Sequence, residues 1–377
     1  MTTVFIVIPW FSPAFRAGGP IRSIENLIVN YNEDIQYKIF CSNRDVDGTL
    51  LADIQSDSWI DINNYTKIWY HSKGLPYNNI NKCIHEEQPD KLFIVGCFSF
   101  HYNIMPLLFC KGVSRILSTR GMLHPGALSQ KKIKKNILLF IYKCIGIKNK
   151  IVFHATDARE KEYIHRVFGA KILVKVAENF PAEIRREIKH DKEKKFLKLL
   201  SVGLITPMKN NLLVLQALKN VKGKVVYHIV GAVKDSAYWN LCLQEIKKIP
   251  ENVEVIIHGE LTRHQVAELL QQTQVLVLPS KSENFGHAII ENLSVGNPVI
   301  TSHHTPWNEL KESKAGVNVD LNIEAISEAI NYFISLTHTE FEKYSEGARV
   351  YFEKMNQTEK VKRQYLQLFG GNPNKSS

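Results

Sequence analysis

The 377 residues are too many for one ordinary core and enough for two domains of about 150–200 residues each. Hydrophobic residues make up 44% and charged residues 23%, the balance of a soluble globular protein. The longest apolar runs, Val4–Ile8 and Ile137–Tyr142, fall far short of the ~20 residues that cross a bilayer. The formal net charge of +11 calls for an acidic partner: substrate phosphates, an anionic membrane surface or nucleic acid.

The opening Met-Thr-Thr has neither a basic segment nor a small-residue cleavage site, so no signal peptide is expected and Val4–Trp10 reads as a first strand. Further β-branched runs predict strands at Lys38–Ser42, Lys67–Tyr70, Lys91–Gly96, Arg115–Thr119, Ile151–Ala155 and Leu173–Ala177. Helical periodicity falls between them, at Ile21–Asn32, Asn79–Glu87, Ile104–Lys111, Lys131–Ile145 and Asp157–Phe168. The almost wholly charged run Glu183–Lys195 interrupts the pattern and reads as a linker. The alternation then restarts with strands at Phe196–Val202, Val225–Gly231, Val253–Gly259, Val275–Pro279 and Pro298–Ser302. Helices are expected at Asn211–Asn220, Tyr238–Lys248, Arg263–Gln272 and Gly286–Val295, and then at Glu324–Ser335, Glu340–Lys354 and Glu359–Phe369. The expected organisation is an α/β domain over 1–182, a linker over 183–195, a second α/β domain over 196–355, and a closing helix and tail over 356–377. Two doubly wound sheets of this kind bind ligands outside the carboxyl ends of their strands, so a cleft between domains is expected.

The six cysteines, Cys41, Cys83, Cys97, Cys110, Cys144 and Cys242, form no Cys-x-x-Cys pair, and most sit in apolar surroundings, so they read as reduced, structural thiols. Asp45-Val46-Asp47 is a lone D-x-D, and His303-His304 lacks zinc spacing, so no metal is expected.

The stretch Pro279–Ser302, PSKSENFGHAIIENLSVGNPVITS, leaves a strand, makes a polar turn and opens a helix near Gly286. The free N–H groups and positive dipole end of a helix start form a seat for phosphate. Gly286 removes a side chain where a ligand would approach the backbone. A carboxylate in the first turns, such as Glu291, can accept hydrogen bonds from a ribose diol. Taken alone, Glu283 and Glu291 would be an ordinary capping acid and a solvated face residue. Their setting between two strands, with E-N-F-G before the helix and G-x-P-V after it, is far more specific.

This segment resembles the signature of the retaining GT-B glycosyltransferases of the group 1, or family-four, type. The resemblance implies two Rossmann-like domains with a cleft between them and C-terminal helices returning toward the N-domain. It implies that Glu291 binds the nucleotide ribose and Glu283 the donor sugar, and that Asn284, Phe285, Gly286 and His287 offer backbone N–H groups to sugar and phosphate. Three other segments are similar to the family. Pro9–Leu27, with Gly18-Gly19 before a helix, resembles the glycine loop that lies against donor phosphate and acceptor. Val152–Ile164 resembles the last strand and helix of the N-domain. Ser201–Leu218, with Gly203, resembles the first strand, loop and helix of the C-domain, and there Lys209 falls where a lysine contacts the donor diphosphate.

Two departures stand out. Leu204 follows Gly203 where the family usually has arginine. In Ser118–Leu128 the usual histidine beside the sugar is missing at its place, so Arg120 or His124 substitutes for it, or neither does. What the resemblance implies is a metal-free retaining hexosyltransferase with no cofactor. Its donor would be a nucleotide-sugar, UDP-sugar before GDP-sugar, and its acceptor a glycan or lipid-linked glycan of surface polysaccharide or lipopolysaccharide synthesis. A catalytically weak binder of sugar nucleotides or lipid phosphates, and a sugar-nucleotide epimerase on the same fold, stay open as alternatives.

Leu128–Lys150 holds seven lysines and no acid, interleaved with Ile133, Ile137, Leu138, Phe140 and Ile141. A basic helix with an apolar face fits an anionic membrane surface, and it equally fits a helix packed on its own domain with lysines in water. The expected location is cytoplasmic and peripheral, at the inner face of the membrane. Nucleic acid is not expected as a partner, because no aromatic-interleaved basic motif is evident.

Overall fold

The computed structural model describes residues 1–129, 132–144, 151–181 and 192–370. The chain divides into two compact units, 1–180 with 358–377, and 181–357.

Unit 1 contains β1 (Thr2–Val7), α1 (Gly19–Asn30), β2 (Ile35–Ser42), β3 (Trp59–Asn63), β4 (Thr66–His71), α2 (Pro76–Glu87) and β5 (Lys91–Val95). A π-helical turn at Phe100–Ile104 leads into α3 (Met105–Phe109). Then come β6 (Ser114–Ser118), α4 (Pro125–Ser129), α5 (Lys132–Cys144), β7 (Val152–Ala155), α6 (Ala158–Phe168) and β8 (Val174–Val176). The sheet order is β3-β4-β2-β1-β5-β6-β7-β8, parallel except for the edge strand β3. Residues 4–7 of β1 are fully buried, and burying each such side chain contributes about 1.5–3 kcal/mol. Val4 and Ile6 pack into one apolar layer and Phe5 and Val7 into the other. A central parallel strand covered on both faces therefore reads as an unbroken apolar run.

Unit 2 contains β9 (Phe196–Val202), α7 (Asn211–Ala217), β10 (Lys224–Val230), α8 (Ser236–Ile246), β11 (Val253–Gly259), α9 (Arg263–Gln272), β12 (Val275–Leu278), α10 (His287–Ser294), β13 (Val299–Ser302), β14 (Gly316–Val319), α11 (Ile323–Ser335) and α12 (His338–Met355). Its six strands are parallel in the order β11-β10-β9-β12-β13-β14. The winding reverses between β9 and β12, which is the place where doubly wound sheets hold ligands. The last helix, α13 (Thr358–Phe369), belongs to unit 1 and puts Val361, Tyr365, Leu368 and Phe369 into its core. Tyr365 stacks on Phe180 at 5.5 Å between ring centroids.

The sequence pattern did not expect β3 and β14. β3 is an exposed edge with polar positions, anchored by Trp59 against Phe5 and Trp69. In β14 a Cβ at Gly316 would lie 2.0 Å from the Val299 carbonyl oxygen, so glycine there permits the strand pairing that its poor strand propensity hides. Residues 183–191 of the charged run lie outside the described residues. Cys41, Cys83, Cys97, Cys110 and Cys242 are buried free thiols, which burial holds above their ordinary pKa.

Candidate active site

In unit 2 the loop after β9 and the loop after β12 meet at the reversal point. Lys209 donates from Nζ to Glu283 Oε1 at 2.5 Å, and the Ser280 hydroxyl donates to the same oxygen at 2.6 Å. The Lys281 N–H donates to the Met208 carbonyl at 2.8 Å and ties the two loops together through the backbone. The lysine stem lies over Gly203, where a Cβ would come within 3.2 Å of Lys209 Cε. Gly203 in turn needs Gly231 at the end of β10, where a Cβ would stand 1.9 Å from the Gly203 carbonyl oxygen. Two glycines at adjacent strand ends thus let the chain fold low enough for Lys209 to reach across. The side chains of Lys209 and Glu283 are 22% and 9% exposed, so the pair is sheltered, and a ligand phosphate would meet a cation already held in place.

Gly286 caps α10 in the left-handed conformation, φ +79°, which glycine adopts without strain. Trp307 donates from its indole N–H to the Phe285 carbonyl, and a Cβ at Gly286 would come within 3.1 Å of that indole nitrogen. The Phe285 ring packs edge-on against His287 and Trp307. The helical ladder begins with Ile289 and Ile290 donating to the Gly286 carbonyl, so the N–H groups of Phe285, Gly286 and Ala288 lie ahead of it. Asn284 is the polar residue of this turn next to Glu283. Glu291 stands four residues after His287 on the same helical face and is 3% exposed, so it is not a solvated surface acid.

Unit 1 carries the remaining candidates at the carboxyl edge of its own sheet. Gly18 caps α1 with φ +71°, and a Cβ at Gly18 or Gly19 would meet no atom within 4 Å. The loop ahead of them is pinned by Asp45, whose Oδ2 accepts the N–H groups of Phe15 at 3.0 Å and Arg16 at 3.2 Å. Asp47 pairs with the Arg16 guanidinium and accepts from the Thr49 hydroxyl. The D-x-D carboxylates therefore hold a loop, and among the described residues no group of three or more His, Cys, Asp or Glu side chains could hold a metal ion.

Arg120 and His124 separate. Arg120 is 8% exposed with φ +48° and turns inward, donating from Nη1 to Asn179 Oδ1 beside the Phe93 ring. His124 is half-buried at the start of α4, edge-on to Tyr163 at 5.1 Å. The Gly126 N–H donates to His124 Nδ1 at 3.1 Å, which places the ring proton on Nε2. Burial lowers the pKa of this imidazole and favours its neutral form.

Residues that the sequence reading passed over complete the two sites: Ser280, Trp307 and Gly231 in unit 2, and Glu160 in unit 1. A strand ending in glycine and a glutamate three residues after Asp157 were the signals available for Gly231 and Glu160.

Solved structures with this architecture cover nearly the whole chain. Sucrose-phosphate synthase of Thermosynechococcus elongatus superposes with TM-score 0.74 at 14% identity, covering 98% of each chain. HepE of Anabaena in complex with UDP-glucose gives 0.72 at 13%, covering 98% of this chain and 100% of that one. WaaG, a glycosyltransferase involved in lipopolysaccharide biosynthesis, gives 0.68 at 12% with the same coverage. No curated protein sequence matches the chain. The fold is that of the GT-B glycosyltransferases. Residues 182–350 match the model of the glycosyl transferases group 1 family.

Proposed function

We propose that this protein transfers a hexosyl group with retention from a UDP-sugar to a glycan or lipid-linked glycan acceptor, in the synthesis of a surface polysaccharide or lipopolysaccharide, without a metal ion. The observation that carries the reading is the Lys209–Glu283 pair at the reversal point of unit 2, in front of the glycine-capped start of α10. Lys209 and the amides around Phe285–His287 would take the diphosphate charge as it develops, which is the work a divalent cation does elsewhere. Glu291 would hold the ribose and Glu283 the sugar hydroxyls. Retention would follow if the leaving phosphate accepts the acceptor proton on the face it departs from. UDP is favoured because HepE was solved with UDP-glucose, and a trehalose-6-phosphate enzyme of E. coli, also of this fold, with UDP-2-fluoro glucose.

Between the two residues weighed for the missing histidine, the partial exposure of His124 and its Nε2 proton favour it as the donor to a sugar hydroxyl. The inward turn of Arg120 favours a supporting part. We assign the acceptor side to unit 1, and the exposed side chains Ile133, Ile137 and Phe140 of α5 support work at the inner face of an anionic membrane. No helix of the described residues is long and apolar enough to cross one.

The test is turnover of radiolabelled UDP-, GDP-, ADP- and dTDP-sugars, with nucleotide affinity measured beside it. Glu291→Ala should keep the fold and lose about 1.5–3 kcal/mol of nucleotide affinity, the worth of charge-assisted hydrogen bonds. Unchanged nucleotide binding in that variant would remove the ribose assignment. Binding of sugar nucleotide with no release of nucleotide would mark a binder in place of a transferase.

A further inference from the structure

We propose that Glu160 is the positioning residue for the loop that presents His124, with α6 acting as a splint along residues 119–124. The part this loop plays in transfer rests on the function proposed above, whereas the splint rests on contacts within unit 1. Glu160 lies in the first turn of α6 and is 2% exposed. Its two carboxylate oxygens divide their work. Oε1 accepts from the Thr119 hydroxyl at 2.5 Å and from the Gly121 N–H, both on the loop after β6. Oε2 accepts from the Thr156 N–H and hydroxyl, each at 2.7 Å, on the loop after β7. One buried carboxylate thus joins two neighbouring strand ends through four donors.

A buried carboxylate costs several kcal/mol of desolvation and is weak support for stability on its own account. Its placement calls for another reason, and the loop provides one. Arg120, between the two clamped residues, has φ +48°, a left-handed conformation that side-chain-bearing residues adopt only when the surroundings enforce it. Fixing Thr119 on one side and Gly121 on the other enforces it, and so sends the Arg120 side chain inward to Asn179. Met122 then lies on Gly96 at the end of β5, where a Cβ would come within 3.3 Å of Met122 Cε. At the far end of the loop, His124 rests edge-on against Tyr163, which follows Glu160 by three residues on the same face of α6. A single helix therefore grips both ends of the loop, through a carboxylate at one end and an aromatic ring at the other.

The experiment compares Glu160→Gln with two gentler variants. In Glu160→Gln an amide NH2 must face donors whichever way it is turned. Thr119→Val removes one loop-side hydrogen bond, and Thr156→Val removes one on the opposite side. Three quantities are read: amide hydrogen exchange over residues 119–124, transfer kcat and KM, and UDP affinity. The expected result is faster exchange in Glu160→Gln and Thr119→Val but not in Thr156→Val. A drop in kcat of roughly 10–100-fold should accompany it, the usual cost of misplacing a reacting group by about an ångström, with UDP affinity unchanged. Adding His124→Ala to Glu160→Gln should cost no more than the larger single effect, because both act through one group. Unchanged exchange at Gly121–Leu123 in both clamp variants would overturn the splint, and so would losses that multiply in the double variant. Wild-type protein that transfers sugar from no nucleotide donor would sink the function and leave the exchange comparison to decide the splint by itself.

Discussion

Lys209 Nζ and Glu283 Oε1 stand 2.5 Å apart although 74 residues separate them, and this contact joins the loops on either side of the reversal point of the second sheet. The pair already neutralises the lysine charge, so on the function proposed above a donor diphosphate would share Lys209 with the glutamate. Lys209→Ala should weaken UDP by about 1.5–3 kcal/mol. Glu283→Gln should bind free UDP at least as tightly as wild type, since the lysine is released, yet lose transfer from UDP-sugar. Calorimetry with UDP beside a transfer assay checks both, and weaker UDP binding in Glu283→Gln would show that the pair works as a unit in holding phosphate.

Asp45 and Asp47 offer the sharpest test of metal-free chemistry. Because they pin the loop at Phe15 and Arg16, transfer should continue in excess chelator, while Asp45→Ala should lower it by releasing the glycine loop. Magnesium or manganese should not rescue the variant. Loss of wild-type transfer in chelator, restored by either ion, would return these carboxylates to a catalytic part.

His154 makes stability depend on acid. The ring is fully buried, with Nε2 donating to the Ala177 carbonyl at 2.8 Å and Nδ1 accepting from the Ser118 hydroxyl at 2.8 Å. Burial first, and then the Arg120 charge, lowers its pKa from 6.5 to about 3. Above pH 6.5 both folded and unfolded chains hold it neutral and the contribution is complete. Below that value the unfolded chain binds a proton that the folded one refuses, so stability falls until about pH 3. Denaturant midpoints measured from pH 7 to pH 4 should drop for wild type. They should drop less steeply for His154→Gln, although that variant starts lower at pH 7. Parallel curves would place the acid sensitivity elsewhere.

On α5 the exposed side chains Ile133, Ile137 and Phe140 follow one stripe at spacings of four and three, and they are 78%, 56% and 66% exposed. Lys134 is exposed beside them, whereas Lys135 is drawn inward, with Nζ donating to the Ala127 carbonyl at 2.6 Å and lying 5.2 Å from the Phe98 ring centroid. Lys131, Lys148 and Lys150 lie outside the described residues. At an anionic membrane the stripe would add an apolar component to an attraction worth about 1 kcal/mol per surface lysine. Sedimentation with phosphatidylglycerol vesicles should therefore lose only part of its strength in high salt. Replacing the three apolar residues with serine should abolish the salt-resistant part. Equal sedimentation of wild type and variant would make the stripe an ordinary surface.

Much of this was legible in the residues themselves. Strands buried on both faces, such as Val4–Val7 and Val275–Leu278, appear as short apolar runs. The turn into α10 could be read because a glycine, a carboxylate and a helix start are adjacent in the chain. What was hidden depends on distant partners or on close backbone approach. Nothing local in Lys209 announces Glu283, and nothing in Gly231 announces the carbonyl of Gly203 against it. Glu160 lies in a run of charges, D-A-R-E-K-E, that reads as solvated, and only the spacing from Asp157 hints that it folds back on the loops. The inward turn of Arg120 follows from a positive φ that no composition reveals.

The place of α13 sets an order of assembly. Val361, Tyr365, Leu368 and Phe369 complete the core of the unit that contains β1, yet they are translated only after all of residues 181–357. On the ribosome the second unit can close while the first still waits for its missing wall. Until then the apolar surface around Tyr31, Phe93 and Phe180 stays open to water or to a chaperone. A premature stop before Thr358 would therefore damage the half of the protein that was made first.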